Sequence, residues 1–321
     1  KLTVDPWRGF VASDVKVYEA ADRRHILAEI DQAILSIDFS RLIRRKNFIS
    51  ALELKDTRLS LPLEKSNQSS RRIEVTRFNA RLLFPNKQIH LVNAEARVLG
   101  IRLRANGWIS NPEKLESSDE TSSKKLTELA DKLIPEFESV AYESDPPLLR
   151  LQFSGDVAVP ESLQATLKLE AEDFVIRGCE FDSLKLSANW REGALALQEF
   201  LLEDSHGRLR AVGLIDSAGG TAKSQIESTL DLAEIGSAFG SGEYTKDLSF
   251  KERPSLMLQI TGLPEPEIPL RVTGSFETKS FAWKSVPFES LGFAFAWEQG
   301  RFSIRDFQLQ HAAGYLSGNT M

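Results

Sequence analysis

Two hexapeptides carry the residue types that most resemble a chemical site. RLRANG occupies 102–107 and RLRAVG occupies 208–213, so five of six letters recur 106 positions on. Arginines among small residues, closed by a glycine, are what a phosphate-binding signature asks for. Alternation argues otherwise: on a pleated strand Arg102, Arg104, Arg208 and Arg210 point to one face, and Leu103, Ala105, Leu209 and Ala211 to the other. The arginines then keep an outer face in water, and the motif is one strand of a repeated unit.

The other reactive residue types form no constellation. His25, His90, His206 and His311 have no metal-ligand spacing. Cys179 is the one cysteine, which excludes an internal disulfide framework and a thiolate cage and reads as a small apolar residue. Glu172 and Asp173 are sequence neighbours that point to opposite faces of a strand, so they make no acid/base dyad. GxSxG, P-loop, GxGxxG and HExxH motifs are all missing. The basic run Arg44–Lys46 has the chemistry to meet anionic lipid head groups, but reads first as a charged hairpin tip. No catalytic residue, cofactor or metal is called for, and an enzyme is not expected.

At 321 residues with 41% hydrophobic content, the chain has the material for two or three packed units. Forty basic against 46 acidic residues, a net charge of -6, make no basic stripe for a phosphate backbone, which argues against nucleic acid as a partner. No apolar run reaches the roughly 18 residues of a membrane-spanning helix. A start at Lys1 and a strand-like final stretch, GYLSGNTM, lead us to expect an excerpt of a longer protein.

The hexapeptides open onto a longer repeat. PLLRLQFSG from Pro147 falls on PSLMLQITG from Pro254 at an offset of 107, and the frame continues without a gap. Phe174 meets Phe281, Phe181 meets Phe288, Trp190 meets Trp297, Gly193 meets Gly300, and Phe200 meets Phe307. A fainter first copy lies 106 residues earlier, with Phe84 at Trp190, Leu91 at Leu197 and Ala94 at Phe200.

Inside each copy the apolar period is two. Leu163, Ala165, Leu167 and Leu169 alternate with polar residues, as do Leu184, Leu186, Ala188 and Trp190, and then Leu291, Phe293, Phe295 and Trp297. Such alternation marks half-buried antiparallel strands. Turn signals at 85–87, 191–193, 205–207 and 298–300 divide them into hairpins. The phase slips once per copy: Leu195 and Leu197 are followed by Phe200 and Leu202, and Phe302 and Ile304 by Phe307 and Leu309, which predicts a β-bulge at a shared place.

The expected fold is therefore mainly β: an elongated, curled antiparallel sheet, an open trough of tandem hairpin repeats, with one or two short helices. Its divisions fall at 1–110 (first β unit), 111–146 (linker and amphipathic helix), 147–217 (second β unit) and 218–321 (third). The helix is expected from Ser122, where Leu126, Leu129, Leu133, Phe137 and Val140 recur at helical spacing around Pro135; a second, short one is expected over Leu232–Phe239.

The stretch from Asp5 to about residue 63 resembles the opening of the AsmA/TamB family of bacterial envelope proteins. The matching residues are Asp14, Val15 and Val17, then Ala33, Leu35, Ile37, Phe39, Leu42, Ile49, Leu52, Leu54 and Leu59. The resemblance implies a curled β-sheet with an apolar floor, similar to bridge-like lipid transfer proteins with a chorein-type N-terminal end. It also implies a periplasmic protein, anchored in the inner membrane through a segment ahead of Lys1, that carries phospholipid toward the outer membrane. Phospholipid acyl chains, and the two membranes or their proteins, are the implied partners.

The candidate floor residues are Leu91, Leu184, Leu186, Trp190, Leu195, Leu197, Phe293, Phe295, Trp297, Phe302 and Ile304. The alternatives are an array of β-sandwich modules, structural or adhesive, in which the same residues form closed cores, and an assembly factor for outer-membrane proteins that works through a sheet edge.

Overall fold

The computed structural model describes residues 1–5, 9–18, 26–38, 48–62, 72–117, 140–142, 145–216, 220–231, 236, 247–262 and 269–320. Packing divides the chain into two units, Lys1–Ser139 with Pro146–Leu167, and Val140–Asp145 with Lys168–Met321. His25, Phe39, Leu42 and Arg44–Lys46 lie outside the described residues. So do the expected helix over Leu232–Phe239, apart from Gly236, which is helical, and most of the expected helix from Ser122. The end of that second segment is corrected: Val140 belongs to a short strand, not a helix.

In the first unit, β1 (Leu2–Asp5), β2 (Gly9–Tyr18), β3 (Ile26–Ile37), β4 (Ile49–Pro62), β5 (Arg72–Leu83), β6 (Gln88–Val98) and β7 (Ile101–Ser110) pair in chain order as an antiparallel meander. A 3-10 turn, Pro112–Ser117, follows. After β8 (Val140–Tyr142), which packs in the second unit, β9 (Leu148–Asp156) lies beside β7 in parallel, from Arg102 opposite Leu148 to Ser110 opposite Asp156. The far end of this pair is fastened at Asp156. Its carboxylate accepts from Asn111 Nδ2 at 2.9 Å and from the Ala158 N–H at 2.8 Å, and these bonds hold its pKa below the usual aspartate value.

The second unit contains β8 and the larger part of β10 (Gln164–Ile176). It continues with β11 (Cys179–Arg191), β12 (Ala194–Glu203), β13 (Arg208–Asp216), β14 (Thr221–Ser228), β15 (Leu248–Phe250), β16 (Ser255–Thr261), β17 (Arg271–Trp283), β18 (Val286–Glu298), β19 (Arg301–His311) and β20 (Gly314–Thr320). β11 to β14 form a meander, β16 takes the place beside β14, and β17 to β20 continue it, all antiparallel. The short strands β8 and β15 pair with the C-terminal ends of β10 and β17. Among the described residues, the strands of this unit form an open sheet that is not closed into a barrel.

The repeat is present in the backbone. β10 and β17 begin and end 107 residues apart, and so do β11 and β18. Left-handed residues recur at the same interval. Arg177–Gly178 (φ 47° and 86°) matches Lys284–Ser285 (49° and 68°), and Glu192–Gly193 (53° and 78°) matches Gln299–Gly300 (50° and 77°). Two successive positive φ values make the type I′ turns whose twist suits a two-residue hairpin. Asp173 and Ser280 (both φ 49°) do something different inside a strand. Each re-phases its strand, so that Ala171 and Phe174, and likewise Thr278 and Phe281, are buried three residues apart.

β14 interrupts the repeat, and its place explains the parallel pair. β13 and β16 both run antiparallel to β14, so they run in the same direction as each other. No strand separates β7 from β9, and the two same-direction strands meet directly.

The second unit is most tightly packed around Ala171, Phe174, Phe181, Leu202 and Leu230, with the Phe174 and Phe181 rings stacked at 5.5 Å. Cys179 is half-buried against this cluster, the position of a small apolar residue. One ion pair with a shielded partner helps to fix the β12–β13 turn. Arg253 lies 3.3 Å from Asp204, whose carboxylate also accepts from the His206 and Gly207 N–H groups at 2.7 and 2.6 Å.

Candidate functional site

The site is built from cross-strand rows, because residues directly opposite one another in an antiparallel sheet share a face. One row of the second unit runs Ala188, Leu197, Gly213, Ser224, Ile260, Val272, Trp297, Phe302. The next runs Leu186, Phe200, Ala211, Ile226, Leu258, Gly274, Phe295, Ile304. A third joins Leu184, Leu202, Leu209, Ser228, Leu256, Phe276 and Phe293, and at the strand ends Trp190 stands opposite Leu195, which stands opposite Ile215. All ten floor candidates of this unit therefore lie on one face of one sheet. Leu91 is in the first unit, in a comparable row of Phe10, Leu35, Leu52, Leu82, Leu91, Gly107 and Phe153.

The expected bulge is found in each copy at the same place. Register shifts between Leu91 and Ala94, between Leu197 and Phe200, and between Ile304 and Phe307. The shift keeps apolar side chains on the same face on both sides of the irregularity. In Leu209, opposite Leu202, and Ala211, opposite Phe200, the RLRAVG strand supplies this face. In RLRANG, the opposite-facing Arg104 pairs with Glu95 at 2.9 Å.

Exposure varies along the strands. Leu202 is 2% exposed and Phe276 8%, while at the other end of the same face Trp190 is 39%, Leu195 40% and Phe302 52% exposed. Leu184, Leu186, Leu197, Phe293, Phe295, Trp297 and Ile304 are half-buried. Closed sandwich cores bury such residues almost completely, so this face is a partly open apolar surface.

Its third copy is aromatic where the second is aliphatic. Leu169, Leu186, Ala188 and Leu195 correspond to Phe276, Phe293, Phe295 and Phe302. The rings touch in sequence, with centroids 5.4 Å apart for Phe276 and Phe293, 5.9 Å for Phe293 and Phe295, and 6.0 Å for Phe295 and Phe302. Gly274 makes room for them: a Cβ there would lie 2.8 Å from Phe295 Cζ and 2.4 Å from the Met257 carbonyl oxygen. In the first unit Gly107 accommodates Phe153 in the same manner, with 2.8 Å from a Cβ to the ring.

Sequence reasoning missed the part of this face that β14 and β16 supply, namely Ala222, Ile226, Leu256, Leu258 and Ile260. The signal was present as alternation in SLMLQIT; in TAKSQIES only Ala222 and Ile226 mark the apolar face.

The opposite face is mainly polar, with Leu214 and Met257 exposed on it. A shallow groove of about 680 Å³ is lined mainly by polar residues such as Ser255, Ser275, Glu277 and Gln308, and one of about 410 Å³ by Gln259, Thr273 and Arg305 together with Met257, Ala294 and Phe295. Among the described residues no His, Cys, Asp and Glu side chains group as a metal site requires. The described histidines are occupied locally: His90 Nε2 is 2.9 Å from Gln88 Oε1, His206 Nδ1 meets Ser205 Oγ, and His311 Nδ1 accepts from the Ala313 N–H at 3.1 Å. No described helix is long and apolar enough to cross a membrane.

Comparisons with protein-family models, with curated proteins and with solved structures find no match.

Proposed function

We propose that this chain is a segment of a non-enzymatic lipid conduit, in which phospholipid acyl chains lie on the apolar face of the sheet and move along it. The observation that carries the reading is the run of predominantly apolar, partly exposed rows from β11 to β19, including Leu186, Leu197, Phe295 and Ile304. A phospholipid with two chains of about 16 carbons costs on the order of 25 kcal/mol to pass through water, at roughly 0.8 kcal/mol per methylene. A floor of this kind lowers that barrier without any reactive group. A partly open face suits transport, because cargo that moves must also be released.

The resemblance of residues 5–63 to the AsmA/TamB family supplies the setting: a periplasmic location, an inner-membrane anchor and a role in outer-membrane biogenesis. Four of the matching residues, Ala33, Leu35, Leu52 and Leu54, stand opposite one another in β3 and β4. The sandwich-array reading is supported less well, since it requires these rows to be closed off from solvent.

Purification in mild conditions followed by lipid extraction and mass spectrometry tests the proposal. Phospholipid should accompany the chain, and it should be lost when Leu197 and Ile304 are both replaced by Asp. Purified chain that carries no phospholipid, and takes none from vesicles, contradicts it.

A further inference from the structure

We propose that the tip of the β17–β18 hairpin is a contact for the interfacial zone of a lipid bilayer. Trp283 and Val286 stand opposite each other across the Lys284–Ser285 turn. They are 53% and 46% exposed, and every residue from Trp283 to Pro287 is exposed. Lys284 Nζ lies over the indole, 5.6 Å from its centroid. The tip is well held from below. The Lys284 N–H donates to the Asp247 carbonyl at 2.9 Å, Trp283 stands opposite Leu248, and Phe281 stacks on Phe288 at 5.0 Å.

The repeat makes this exposure informative. One copy earlier the same turn reads Ile176, Arg177, Gly178, Cys179, and its two apolar residues are half-buried against the core cluster. The third copy keeps the order apolar, basic, small, apolar, yet places its largest side chain in water. Among the described residues, Trp283 and Val286 keep 53% and 46% of their surface in water.

The chemistry selects the partner. Tryptophan, with an apolar ring and one N–H donor, prefers the head-group level of a bilayer. A lysine beside it reaches phosphate oxygens while its stem stays with the ring. A narrow two-residue turn with no groove of its own enters a deformable medium more readily than it captures a protein side chain. Asp247, whose backbone already meets Lys284, and Glu289 in the same hairpin are the acidic residues beside the tip and moderate the attraction to anionic lipid. The inference stands apart from the lipid-floor reading, since none of the floor residues takes part.

The test uses the full chain with Cys179→Ser and Ser285→Cys, labelled at the new thiol with an environment-sensitive fluorophore. It is mixed with vesicles of phosphatidylcholine, alone or with phosphatidylglycerol, and both sedimentation and emission are followed. The label should shift to the blue as the chain sediments. Trp283→Ser should weaken vesicle binding by about tenfold, as expected for loss of one large apolar side chain from the interface. Lys284→Glu should remove the preference for vesicles with phosphatidylglycerol. The proposal is overturned if the chain does not sediment, if it sediments with the label unmoved, or if Trp283→Ser binds as the parent does.

Discussion

Leu202→Asp should unfold the second unit, whereas Leu197→Asp, on the same face of the same strand, should leave it folded and unable to hold lipid. Leu202 is 2% exposed and belongs to the cluster of Phe174, Phe181 and Leu230. A carboxylate there has no partner and no route to water, and the loss of the leucine adds a cavity. Together these cost roughly 4 kcal/mol or more, a large share of a domain's stability. Leu197 is half-buried, and its neighbours across the strands are Ala188 and Gly213. Small neighbours let the carboxylate reach solvent, so the cost should be about 1 kcal/mol. Thermal melts followed by circular dichroism, combined with extraction of bound phospholipid, check both halves. Equal destabilisation by the two substitutions would mean that Leu197 lies in a closed core.

The second large effect is expected at Gly274. Gly274→Leu should destabilise the second unit by roughly 3 kcal/mol, because the new side chain collides with the Phe295 ring and the Met257 carbonyl. The positions one repeat earlier are Leu167 and Ala188, so the larger member of the pair has changed places with the smaller. Gly274 and Phe295 face each other directly in β17 and β18. Hence Gly274→Leu with Phe295→Ala should recover most of the lost stability. A double-mutant cycle from denaturant melts measures the coupling, expected at roughly 2 kcal/mol. Additive losses would show that the two sites do not share one space.

That exchange was invisible while the repeat was read by letters, because a Leu-to-Gly difference looks like divergence until its partner is known. The features legible in the sequence were those set by local alternation. Leu184 to Trp190 and Leu291 to Trp297 are strands with one apolar face, and the phase slip at Leu197 and Phe200 is a bulge.

What escaped depends on distant partners or on single backbone angles. Asp173 and Ser280 re-phase their strands through one left-handed residue each, and an Asp or Ser in a strand-like run gives little sign of it. The parallel pairing of β7 with β9 follows from the lack of a strand between them, a matter of sheet order. Val140 continues the helical spacing of the residues before it, and its three-residue strand is too short to show a period of its own. The gradient from Leu202 to Trp190 reflects cover by Leu230, Tyr142 and their neighbours, contributed by segments far away in the chain.

The most direct test of the apolar floor is face-specific photocrosslinking to phospholipid in membranes. A photoreactive residue at Ile304 or Phe295 should capture lipid, and one at Ala296 or Ser303, on the opposite face of the same strands, should not. Capture from both faces alike, or from neither, would contradict the account.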